Sequence, residues 1–210
     1  MAQRARGRTA KLGRPRRVED EAVFAAMASV LLRTGWARMT VQAVAAEVGV
    51  TPAALRQRFG ARKDMFTAFY AWHTELLKEA AAEPPADDGP VVEVLAAQAR
   101  ASVAGIESPE QMRNAMSPFT EVELTPGLLR MAGERFAAAA DQTAALLDAA
   151  QRRGEIAGAD PADLALRLRD CLMGASLAWS MTGGRPIGDV MAETVERMLA
   201  PYLRRGDQQK

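Results

Sequence analysis

Between Thr40 and Phe59 the sequence TVQAVAAEVGVTPAALRQRF leaves the backbone few options. Val41, Val44, Ala45 and Val48 fall at i, i+3, i+4 and i+7, the spacing of one buried helical stripe, and Thr40 stands ahead of them as an N-cap. Gly49 suits the left-handed conformation that ends a helix, and Val50 is an apolar plug for the corner. Thr51-Pro52 then supplies a second N-cap with proline at the first helical position. The stretch predicts two short helices joined by a tight turn.

At about 100° per residue, Leu55 and Phe59 define the buried side of the second helix. Ala53, Ala54 and Gln57 then point the opposite way, with Arg56 and Arg58 on the flanks. Such a face suits a major groove. Alanines admit a close approach and can touch a thymine methyl, glutamine can pair bidentately with adenine, and arginine can reach guanine or phosphate. The same face equally suits an ordinary helical hairpin with one solvated side, and spacing alone does not separate the two.

Charge bears on that choice. The formal net charge is only +1, but residues 1–78 hold 14 Lys and Arg against 6 Asp and Glu, while residues 79–210 hold 13 against 20. One end suits a polyanion and the other does not. Alanine-rich stretches with few β-branched runs predict an all-α fold, and 210 residues suffice for one or two cores. A single cysteine, Cys171, offers no internal disulfide and no thiolate cluster for zinc, so no metal is expected and a reducing cytoplasm is the simplest home. No stretch reads as a signal peptide or a membrane span, so no membrane partner is expected.

Residues 1–17 carry seven basic residues and no acid, and are expected to form a disordered basic arm. Within it Gly13-Arg14-Pro15-Arg16 resembles the Gly-Arg-Pro core of an AT-hook, so Arg14 and Arg16 can lie along an A·T-rich minor groove or contact phosphates nonspecifically. From Glu19 to Arg33, Val23, Ala26, Met27, Val30 and Leu31 mark a helix that Gly35 ends, with Trp36 plugging the core. After Phe59-Gly60 a basic corner, Ala61-Arg62-Lys63-Asp64, opens a long helix with Met65, Phe66, Phe69, Trp72, His73, Leu76 and Leu77 on its apolar side. Arg62 and Lys63 sit at its N-terminus, where backbone N–H groups also favour phosphate.

This order of features resembles the DNA-binding domain of TetR-family transcriptional regulators over about residues 19–78. The resemblance implies a three-helix helix-turn-helix domain followed by a larger helical domain for ligand binding and dimerisation. By position, Thr40, Thr51 and Arg62 resemble phosphate contacts, with Arg62 where lysine is usual, and Ala53, Ala54, Gln57 and Arg58 lie where the family reads base edges. Arg56-Gln57-Arg58 departs from the family's Tyr-Tyr-His-like run, so the phosphate contacts of those tyrosines are not carried over and a different operator is expected.

The expected division is an arm over 1–17, a DNA-binding domain over 18–78 and a C-terminal domain over 79–210, with a polar linker from Glu83 to Pro90. Five further helices are predicted: about 90–105; one opened by Ser108-Pro109-Glu110-Gln111; one from Thr125-Pro126 to about Arg153; one from Asp160-Pro161 to about Thr182; and one from Pro186 to near Arg204. The second-last becomes apolar nearly all round from Cys171 to Met181, so it must be covered on two sides. One side can face this chain's core and the other a second copy, or both can serve one wide intrachain core; the family resemblance implies a four-helix dimer seam from the last two helices, with Leu168, Cys171, Leu172, Ala175, Val195, Met198, Leu199 and Tyr202 as candidates. Met112, Met116, Phe119, Phe136, Met173 and Trp179 can line an adaptable cavity for a small, largely apolar effector or simply fill a core. Phe69, Trp72 and His73 mark the side from which a ligand would wedge the long helix.

Catalytic candidates are few. His73 lies on an apolar helix face, Cys171 sits among apolar neighbours where a thiol is inert, and there is no phosphate loop, nucleophile elbow or ligand set for a cofactor. The expectation is a dimeric, non-enzymatic regulator, a repressor bound to a palindromic operator on double-stranded DNA and released by the effector. An architectural or partner-recruiting DNA-binding protein without an effector is the alternative.

Overall fold

The computed structural model describes residues 19–82, 89–120 and 126–204, with only the backbone described for Leu76, Leu77, residues 80–82, Phe119, Thr120, Pro126 and Leu128. The basic arm with Arg14 and Arg16, and linker residues 83–88, lie outside the described residues. The described chain is all-α: α1 (Asp20–Arg38), α2 (Val41–Val48), α3 (Pro52–Phe59), α4 (Arg62–Ala82), α5 (Val91–Ser102), α6 (Pro109–Thr120), α7 (Pro126–Arg153), α8 (Pro161–Thr182) and α9 (Ile187–Leu199), closed by a 3-10 turn, Ala200–Tyr202. One antiparallel bridge, Ile156 to Leu203, ties the α7–α8 turn to the end of the described chain.

Local chemistry sets these boundaries. The Thr40 and Thr51 hydroxyls accept the Ala43 and Ala54 N–H groups at 3.1 and 3.2 Å, and Gly49 takes the left-handed conformation between the two helices. Ser108 accepts the Gln111 N–H while the Gln111 side chain accepts the Glu107 N–H, and Asp160 accepts from Ala162 and Asp163. Each such cap is worth about 1 kcal/mol. At Gly35 the dihedrals are φ 71°, ψ 169°, so α1 breaks there and resumes for one short turn to Arg38.

Two clusters of buried side chains organise the packing. The first joins Val23, Met27, Val30 and Trp36 of α1 to Val44 of α2, Leu55 of α3 and Met65, Phe66 and Tyr70 of α4, and takes in Ala132 from α7. The second joins α5, α6, α7, α8 and α9 around Leu95, Met112, Leu147, Leu164, Trp179, Met191 and Val195. One position departs from the expected stripe of α4. Tyr70 is buried, and burial pushes its hydroxyl up to about 12 although Arg135 of α7 opposes the shift. Leu129 of α7 is 52% exposed, because the inward stripe of that helix starts at Met131 and Ala132, where it reaches the first cluster.

α8 is two-sided, as its composition predicts. Leu164, Ala165, Leu168, Trp179 and Ser180 face inward, whereas Leu166, Met173, Leu177 and Met181 are 43%, 47%, 46% and 73% exposed. Three expected seam residues are corrected here. Leu168, Val195 and Leu199 are buried inside this chain at 2% exposure or less, so they have no surface to offer another copy. Leu172, Ala175, Met198 and Tyr202 are half-buried against the same core, and Cys171 is exposed with its thiol 3.9 Å from the Met198 sulfur.

Candidate nucleic-acid interface

α2 presents Val41, Val44 and Ala45 to the first core, and α3 leans on it through Leu55, buried to 3%. This leaves Ala53, Ala54, Arg56 and Gln57 exposed along one side of α3. The Arg56 and Gln57 side chains have no partner among the described residues, so their donors and acceptors are available. Thr40 and Thr51 are exposed at the two N-caps. Each hydroxyl uses its oxygen as the cap acceptor and keeps its proton to donate, which is the polarity a phosphate oxygen requires.

Two expected contacts are otherwise engaged. Arg58 turns back to α1, where it pairs with Asp20 and lies over the Phe59 ring at 5.2 Å from its centroid. Arg62 points inward. Its Nη1 donates to the carbonyls of Trp36 and Met39, both at 3.0 Å, and its guanidinium lies 4.4 Å from the Trp36 ring centroid. Both carbonyls lie at the end of α1, where no further helical turn follows to supply their i+4 donors, and a planar five-donor cation reaches both at once. Lys63, the next residue, is exposed and is the cation at this corner with its ammonium toward solvent.

The turn that Arg62 grips is held from its other side by α6. The Trp36 N–H donates to the Ser117 hydroxyl at 2.7 Å, and the Asn114 side-chain amide donates to the Leu32 carbonyl at 2.9 Å. Neither polar residue of α6 belonged to an expected site. Asn114 and Ser117, one turn apart beside Met112 and Met116, are the sequence signal that could have marked this contact.

The residues expected around an effector are dispersed. Phe69 and Trp72 stack with Phe24 of α1, at 5.9 and 5.3 Å between centroids, and so pack α4 onto α1. His73 lies edge-on to both rings and faces the α7 side, where burial and the charge of Arg135 hold its imidazole below the ordinary histidine value. Met112, Met116 and Trp179 belong to the second core, the Trp179 indole donating to the Arg185 carbonyl at 2.9 Å, and Phe136 is half-buried on α7. Met173 is corrected to the outer face of α8, and the side chain of Phe119 lies outside those described. An open cleft of about 360 Å³, lined mostly by apolar surface, lies between the start of α5, the α7–α8 turn and Leu203. Among the described residues no group of His, Cys, Asp and Glu could hold a metal, and no helix is long and apolar enough to cross a membrane.

No family sequence model matches the chain, and no curated protein does. Solved structures match nearly its whole length. SmeT, the repressor of the Stenotrophomonas maltophilia multidrug efflux pump SmeDEF, superposes with a TM-score of 0.65 at 20% identity over 90% of this chain and 93% of its own, and has also been solved with triclosan. A TetR transcription regulator from Haloarcula marismortui gives 0.67 at 15% identity, over 88% and 98%. A protein from Saccharomonospora viridis in complex with choline gives 0.68 at 16% identity, over 89% and 98%. With an exposed α3 behind a capped turn and a larger helical body attached, this chain has the fold of the TetR-family transcriptional regulators.

Proposed function

We propose that the chain is a cytoplasmic DNA-binding transcriptional regulator that acts as a homodimer on a palindromic operator and is released by a small, largely apolar effector. The observation that carries this reading is the outer side of α3, where Ala53, Ala54, Arg56 and Gln57 stand exposed at the end of a unit rich in Lys and Arg. A backbone stripped to alanine beside an unengaged amide is built for close approach to base edges. Thr40, Thr51 and Lys63 surround it as phosphate donors, with Arg58 held to a supporting role by Asp20. The outer face of α8, with Leu166, Met173, Leu177 and Met181, supports the dimer, since an apolar stripe on a helix calls for a cover. The complexes of SmeT with triclosan and of the S. viridis protein with choline support a small-molecule effector.

Selection of duplexes from a random pool tests the reading. A palindrome with half-sites about one helical turn apart, or somewhat more, is expected. Gln57→Ala should then lose about 1–3 kcal/mol at one base step per half-site and relax preference there. A chain that enriches no sequence, or a Gln57 variant with the parent's preference at every position, refutes the placement of the reading head on α3.

A further inference from the structure

In an unbroken α1 the Trp36 N–H would bond the Leu32 carbonyl, its partner four residues back. The dihedrals of Gly35 separate the two groups. α6 replaces the missing bond with two of its own: Asn114 donates to the Leu32 carbonyl, and Ser117 accepts from the Trp36 N–H while donating to the Asn114 carbonyl at 2.7 Å. Ser117 and Trp36 are 4% and 3% exposed, so the bond between them has little recourse to water. The fit is tight, because a Cβ on Gly35 would come within 2.8 Å of the Asn114 side-chain oxygen. Arg62 holds the following carbonyls from the α4 side, and Thr40, which opens α2, comes just after them.

The N-terminal half of α6 is held to α8. Arg113 donates to the Ser180 carbonyl, and Pro109 packs against Gly183, where a Cβ would meet its ring at 3.1 Å. Ser180 lies beside Leu177 and Met181 of the outer α8 face. Within about 12 Å of helix, from Pro109 to Ser117, α6 thus joins α8 to the broken turn of α1.

We infer that Asn114 and Ser117 are positioning residues for operator recognition: by gripping the Gly35 break they fix each DNA-binding unit relative to the dimer face and so set the half-site spacing the protein accepts. The inference rests on the dimeric DNA-binding reading above. One base pair inserted between half-sites moves them about 3.4 Å apart and rotates them by roughly a tenth of a turn, and a rigidly held pair of units cannot follow.

The test uses the full chain and the operator that it selects, in versions with one or two base pairs added or removed at the centre, and a fragment carrying a single half-site. The parent should lose about tenfold or more in affinity on each altered spacing. N114A/S117A should bind all spacings within about threefold of one another, with half-site affinity and dimerisation unchanged. Met112→Leu, which disturbs α6 packing without touching the grip, should keep the parent's spacing preference even where it lowers the melting temperature. Should the double variant fail to fold, the single variants Ser117→Ala and Asn114→Ala are read the same way, each expected to flatten the preference in part. A folded, dimeric variant as selective for spacing as the parent overturns the inference alone, and a parent that selects no duplex overturns the DNA-binding reading together with it.

Discussion

Arg62 and Lys63 are neighbours in sequence and opposites in environment. Arg62 spends its donors on the Trp36 and Met39 carbonyls, whereas Lys63 faces solvent beside the reading head. Arg62→Ala should therefore cost about 1.5–3 kcal/mol of stability in a urea titration, the scale of a charge-assisted hydrogen bond, and leave the salt dependence of DNA binding as it is. Lys63→Ala should do the reverse, keeping stability and flattening the slope of log affinity against log salt by roughly 0.9. The opposite pair of results would return Arg62 to the phosphate backbone. The sequence marks this corner as basic but not which cation turns inward, because the deciding carbonyls lie 26 and 23 residues away, at the end of α1. Arg58 escapes a local reading for the same reason, since its partner Asp20 sits on another helix.

What is local in origin is legible. Thr40, Gly49, Thr51 and Pro52 each act on a backbone group within a few residues, so α2, the turn and α3 follow from the sequence nearly to the residue. α8 shows the limit. Its composition announces two covered faces, but where most positions are apolar the periodicity that assigns inside and outside vanishes. The core takes Leu168 and Trp179, and the outer stripe is Leu166, Met173, Leu177 and Met181. Leu177→Glu should accordingly leave the melting temperature of the fold near the parent's while sedimentation shows a monomer. Val195→Glu, at 0% exposure, should unfold the chain, since an unpaired buried charge costs several kcal/mol. A dimeric Leu177→Glu protein would move the interface elsewhere.

At the scale of the whole molecule, three helices among the described residues join the α1–α4 unit to the rest: α4, which starts in the first core and lies along α7; α6, through Asn114 and Ser117; and α7 itself, with Ala132 in the first core and Leu147 in the second. An effector acting through these links must favour the arrangement that fits DNA poorly. A hundredfold loss of operator affinity corresponds to about 2.7 kcal/mol of differential binding, and operator must weaken effector binding by the same factor. Titrating a compound found by thermal shift, with and without operator, should give dissociation constants in that ratio, and equal constants would remove the compound as an inducer.

The 28 residues of α7, about 42 Å of helix, give the molecule a property that neither core has separately. One rod is built into both hydrophobic clusters, so the unit of α1 to α4 is not a detachable module. Cutting the chain after α4 would strip the cover from Tyr70 and from the broken turn at Gly35. Anyone grafting this head onto a different sensor would have to transplant α6 and the first half of α7 along with it.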